Sequence, residues 1–164
     1  MDMAHNPAPA AELLQRLKNA YDGEVIGAVM FAELGEGLQD PYEREVYFVH
    51  QQVEQATRDI MKPVMIEYGV VMAAEPDHRY PMFKQFFLDR DWDQQWKDLE
   101  PQLAVAVERF AAIRDQLDPE APGLIALVEH EEALLDFSRE QNKGNTTTAL
   151  DAMHRYLAKY GASG

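Results

Sequence analysis

The sequence predicts an all-α protein: a four-helix bundle with an additional short C-terminal helix, forming one domain over residues 1–164, with 1–8 flexible. Apolar residues recur three and four positions apart through four long stretches, the spacing of one helix face. No stretch alternates with period two between hairpin turns, so no substantial sheet is expected. The nine prolines and nine glycines fall largely between the periodic stretches, where they mark starts and stops.

The first helix is expected from about Pro9 to Leu34, ending in Gly35-Glu36-Gly37, where a glycine can take the positive φ of a C-terminal cap. The second opens with Asp40 as N-cap, Pro41 at the first helical position and Glu43 as reciprocal capping acid. It should reach Met61 and be kinked rather than ended by Pro63, since the apolar pattern resumes at Val64, Met65 and Val70. Residues 74–90 read as irregular, with Pro76 and Pro81 around a short aromatic segment. A third long helix starts near Asp91, is broken or bent at Pro101, and reaches Leu117. The run from Asp118 to Gly123 is a loop, and a fourth helix follows from Leu124 to Asn142, stopped by Gly144. Asn145 then caps a last helix from Thr146 to Tyr160.

The formal charge of −14 comes from 29 acids against 15 bases and is spread evenly, with 11 acids and 4 bases before residue 61 and 18 and 11 after it. Such a surface disfavours nucleic acid and anionic lipid, which need clustered positive charge. No apolar run approaches the roughly 20 residues of a membrane span. The absence of cysteine excludes disulfides, thiolate-ligated metals and thiol nucleophiles. The N-terminal segment resembles neither a secretory nor a transit signal, so a cytoplasmic location is expected. There is no Gly-rich phosphate loop, no nucleophile elbow and no His-Glu-x-x-His helix.

Placing residues at 100° intervals locates the polar groups that fall inside apolar stripes. Glu24 lies within the face formed by Leu13, Leu17, Tyr21, Ala28 and Phe31. On the second helix His50 and Thr57 occupy one shoulder of the stripe, with Glu54 just beyond and one turn from His50. Arg114 falls inside the third stripe. Glu131 is nearly central in the fourth, with His130 at its edge. Buried carboxylates cost several kcal/mol unless paired, protonated or metal-bound. Two solutions compete. Glu24, Glu54 and Glu131 with His50 and His130 could hold a metal, for which carboxylate and imidazole donors suit iron or manganese. Alternatively Arg114 pairs with Glu24 or Glu131 and His50 bonds to Glu54, a structural network that fixes helix register.

A core glutamate on the first helix, another 30 residues later on the second, and Glu129-His130-Glu131-Glu132 on the fourth give a layout that resembles the ferritin-like superfamily. In its di-iron members two helices each give a glutamate and two each give Glu-x-x-His. Here Thr57 and Leu134 stand in the histidine places of the motifs beginning at Glu54 and Glu131, and the one Glu-x-x-His, Glu75 to His78, lies in a proline-containing loop. The resemblance implies a metal-dependent oxidoreductase, with Arg114 orienting an anionic substrate or balancing ligand charge. The alternative is a helical binding or dimerisation module. Phe83, Phe86, Phe87, Trp92 and Trp96 either wall a pocket for a small molecule or close the end of the bundle. A second apolar side of the first helix, at Ile26, Val29 and Met30, suggests a homodimer.

Overall fold

In the computed structural model residues 8–161 are described, and among them the secondary structure is entirely helical. The expected flexibility of residues 1–8 falls, except for Ala8, outside the described residues. Six helices follow in order: α1 (Ala11–Glu36), α2 (Pro41–Glu67), α3 (Tyr80–Leu88), α4 (Trp92–Leu117), α5 (Pro122–Asn142) and α6 (Asp151–Tyr160).

Their ends follow local chemistry. The Asp40 side chain accepts hydrogen bonds from the Tyr42 and Glu43 amides at 2.9 and 3.0 Å, and Asp91 accepts from that of Gln94 at 2.8 Å. α2 runs through Pro63 and α4 runs through Pro101 without a break. Both prolines face solvent, where water can take up the carbonyl that each leaves without a donor. Gly144 stops α5 with φ +83°, whereas Gly37 remains right-handed at φ −87°, so the end of α1 uses no left-handed glycine. The aromatic segment expected to be irregular contains α3. The last helix begins five residues later than expected, at Asp151. The Thr146-Thr147-Thr148 run, β-branched and exposed, forms turns instead.

α1 packs along α2, α2 along α5, α5 along α4, and α6 lies against α2 and α5. α1 and α4 meet at few points, so the fourth side of the bundle is parted and α3 crosses near its end. The core divides in two along the helices. One cluster contains Val46, Val53, Trp96, Phe137 and Met153, the other Leu17, Val25, Met61, Leu124 and Leu127. On the second apolar side of α1, Ile26 and Met30 are buried within the single chain and Val29 is half-buried.

α5 approaches α2 closely at its start, where a Cβ on Gly123 would lie 2.8 Å from the Ile60 carbonyl oxygen and 3.1 Å from Met61 Cα. Gly23, mid-α1, has open space around the same position. Chemical denaturation should therefore show Gly123→Ala losing about 1–3 kcal/mol through forced separation of α2 and α5. Gly23→Ala should gain about 0.5–1 kcal/mol. Equal effects at both positions would mean that α2 and α5 are not in close contact.

Candidate metal centre

Between the two apolar clusters the helices present a polar layer. Glu24 projects from α1, Glu54 from α2, and His130 and Glu131 from α5; all four are buried, His130 most completely. His130 Nε2 lies 2.9 Å from Glu24 Oε1, 3.1 Å from Glu131 Oε2 and 3.9 Å from Glu54 Oε1. Its other nitrogen, Nδ1, is 2.5 Å from the Leu127 carbonyl oxygen and so carries the hydrogen. A backbone acceptor on one imidazole nitrogen fixes the ring with its second nitrogen aimed at the carboxylates, the arrangement that orients a metal-ligating histidine.

Glu24, Glu54 and His130 each bring one ligand atom to within 4.8 Å of the others, so this group could hold a metal ion. Its donor set is two oxygens and one nitrogen. Glu24 Oε2 is buried with no hydrogen-bond partner, an acceptor that folding has desolvated without compensation. Gly27 is what admits Glu54: one turn from Glu24 on the same helix, a Cβ there would lie 2.8 Å from the Glu54 carboxylate carbon and from its Oε2. On the remaining side Thr57 Oγ1 donates to the Val53 carbonyl at 2.8 Å and meets the Tyr156 hydroxyl at 2.5 Å, bringing α6 against the layer.

Burial dominates the electrostatics. It raises the Glu24 carboxyl to about 8, opposed by its hydrogen bond with Glu54 and reinforced by the Glu131 charge. It raises Glu131 to about 7, with His130 and Arg109 opposing and Glu54 reinforcing. Glu54 is pushed well up by burial and then by Glu24. Three acids in one buried layer are all shifted toward their protonated forms unless a cation replaces the protons.

The expected site residues are therefore partly assembled. Glu24, Glu54 and His130 converge, and Glu131 borders them through His130. His50 is buried elsewhere, its Nδ1 2.7 Å from the Val46 carbonyl oxygen and its ring against Phe31, Trp96 and Phe137. The expected His50–Glu54 bond does not form, and desolvation lowers His50 to about 4, a neutral imidazole among aromatic rings. The expected pairing of Arg114 with Glu24 or Glu131 is also corrected. Arg114 bonds to its neighbour Asp115 at 3.0 Å. It sits at the C-terminal end of α4 on a shoulder outside the site, whereas Arg109, about 140° around the helix, lies on the site's side. On α5 the central position belongs to His130 rather than Glu131.

The layer forms the floor of a cleft of about 830 Å³ in the parted side between α1 and α4. Phe83, Phe86 and Phe87 of α3 and Leu103, Phe110 and Ile113 of α4 wall it, so the aromatic segment lines a pocket as well as closing the core. Sequence patterning had not singled out Gly27, Arg109 or Tyr156. A glycine inside a strongly apolar stripe was the one available signal of close approach.

Compared with protein-family models, curated proteins and solved structures, the chain matches none. The chemistry of the site must therefore be argued from the site itself.

The pH dependence of the metal-free protein tests this burial. Glu24 and Glu131 bind protons more tightly folded than unfolded, so their contribution is full below the ordinary carboxylate value of 4.5 and is lost as pH rises through about 7 and 8. His50, depressed from 6.5 to about 4, acts oppositely, its contribution being lost as pH falls through that window. Between pH 6.5 and 8 only the acids contribute a slope. Chelator-treated protein should lose stability there, by at most about 1.4 kcal/mol per pH unit per proton, and Glu24→Gln should flatten the decline. Stability that held level or rose across this window would show that the carboxyls are solvated.

Proposed function

We propose that the chain binds one iron or manganese ion through Glu24, Glu54 and His130 and uses it as a metal-dependent oxidoreductase on a small molecule held in the cleft. The observation that carries this reading is the convergence of three buried donors from three helices, with no arginine or lysine pairing with them among the described residues. Carboxylate and neutral imidazole are donors suited to divalent iron and manganese, and three protein ligands leave coordination positions open. The ion would supply Lewis acidity and a one-electron redox couple. The chain's own residues set its surroundings: Leu127 orients His130, Gly27 makes room for Glu54, and Glu131 offers a carboxyl at the edge of the group that can exchange a proton near neutral pH. The cleft supports the enzymatic part of the reading, because it reaches the floor where a bound ion would be exposed to substrate.

The competing reading is a metal-free helical binding module, favoured by the 2.9 Å contact of His130 Nε2 with Glu24, which is complete as a hydrogen bond. Metal analysis after purification without chelator, followed by anaerobic titration of the stripped protein with Fe(II) and Mn(II), separates the two. About one ion per chain is expected. Glu24→Gln, Glu54→Gln and His130→Ala should each weaken it by more than the roughly 10–100-fold typical of losing an outer-shell partner. Gly27→Ala should displace the Glu54 carboxylate and weaken the ion about tenfold while leaving thermal stability within about 1 kcal/mol, since alanine favours the helix. Metal at trace levels only, together with a Glu24→Gln protein at least as stable as the parent, would rule out the metal centre.

A further inference from the structure

We propose that the cleft takes an apolar monocarboxylate, an aromatic or medium-chain aliphatic acid, with its carboxylate on Arg109 and its apolar body against the aromatic wall. The inference rests on the floor being the reacting end of the cleft, as proposed above, and adds what holds the ligand's polar group.

The volume of about 830 Å³ lies within the range of small-molecule sites. The walls are apolar, and Phe83 and Phe86 are only partly buried, so an apolar ligand would remove their remaining surface from water. Met82 stands 66% exposed among the lining residues and extends the apolar surface toward solvent. Charge decides the ligand's polar end. In a chain carrying 29 acids and 15 bases, the cleft lining has no acid other than the three on its floor, and its cations are three arginines, Arg16, Arg79 and Arg109.

Two of the three are engaged. Arg16 pairs with Glu12 at 2.7 Å. Arg79 pairs with Asp77 and donates to the Asn19 carbonyl. Arg109 is exposed to solvent and has neither an ion pair nor a side-chain hydrogen bond among the described residues, and its guanidinium is the fork that binds a carboxylate through two parallel hydrogen bonds. A cationic ligand would meet Arg109 unfavourably. A neutral one would leave its donors to water.

Calorimetric titration with octanoate and octanol at pH 7.5 tests the proposal on chelator-treated and on metal-loaded protein, with circular dichroism to verify the fold of each variant. Octanoate should bind about fivefold more tightly than octanol in both forms, as expected for one charge-assisted contact at an exposed arginine. Arg109→Gln should abolish that preference while leaving octanol binding unchanged. Arg16→Gln should retain it, and Phe83→Ala should weaken both ligands alike. The proposal is overturned if neither ligand binds, if the preference survives Arg109→Gln, or if it appears only with metal loaded, which would place the carboxylate on the ion. Failure to bind metal would sink the metal centre alone, because the preference is also read on stripped protein.

Discussion

The structure depends on three carboxyl groups being held around one imidazole nitrogen in a buried layer. Each costs several kcal/mol to bury unneutralised, and no guanidinium or ammonium among the described residues enters the layer. The apolar clusters above and below make this tolerable. Leu17, Met61 and Leu127 on one side and Val53, Trp96 and Phe137 on the other are fully or nearly fully buried, and they fix the helices that carry the acids. The carboxyls must then take protons, share His130, or take a cation. That requirement makes Leu127, Gly27 and Thr57 part of the site, although none of them offers a charge.

The same layer explains why the bundle is open on one side. Full contact between α1 and α4 would leave the floor sealed and the Glu24 oxygen unpartnered with no route to it. Parting the two helices gives a path from solvent to the carboxyls, and α3 furnishes the path with aromatic rings. Its phenylalanines serve both purposes, Phe87 packing against Phe31 and Trp96 while also facing the cleft. Packing and access are thus achieved with one nine-residue helix rather than a long loop.

Much of this was legible in the sequence because helical periodicity reports burial directly. Asp40 capped where it was expected to, α4 began beside Asp91 as expected, and Glu24 was identified as a buried acid from its apolar neighbours alone. What periodicity cannot report is which of two adjacent residues faces the axis once a helix is packed on unequal neighbours. α5 is covered by α2, α4 and α6, so all but a narrow charged stripe of its circumference is buried and the buried face has no sharp centre. His130 and Glu131 were both visible there, but their order of importance was not. The position of Arg114 was misjudged for a related reason. A stripe marks where a helix touches its neighbours, and at the final turn of α4 a long side chain on the stripe's shoulder can leave it for Asp115. Gly27 was hidden because its role lies in a contact with Glu54, across two helices.

The donors present bear on how many ions the layer can hold. A Glu-x-x-His pair puts both groups on one helix face, and two such pairs can bracket two ions. Neither pair is present at this site. Three residues after Glu54 stands Thr57, whose hydroxyl is already engaged by Val53 and Tyr156. Three residues before His130 stands Leu127, which offers only the backbone carbonyl that holds the ring. Across the cleft, Ala106 and Phe110 of α4 supply no donor. A second ion would therefore find Glu131 and the outer oxygens of shared carboxylates, too few ligands to be held against water. The donor set could hold one ion, and a single ion would leave more of the floor open to whatever occupies the cleft.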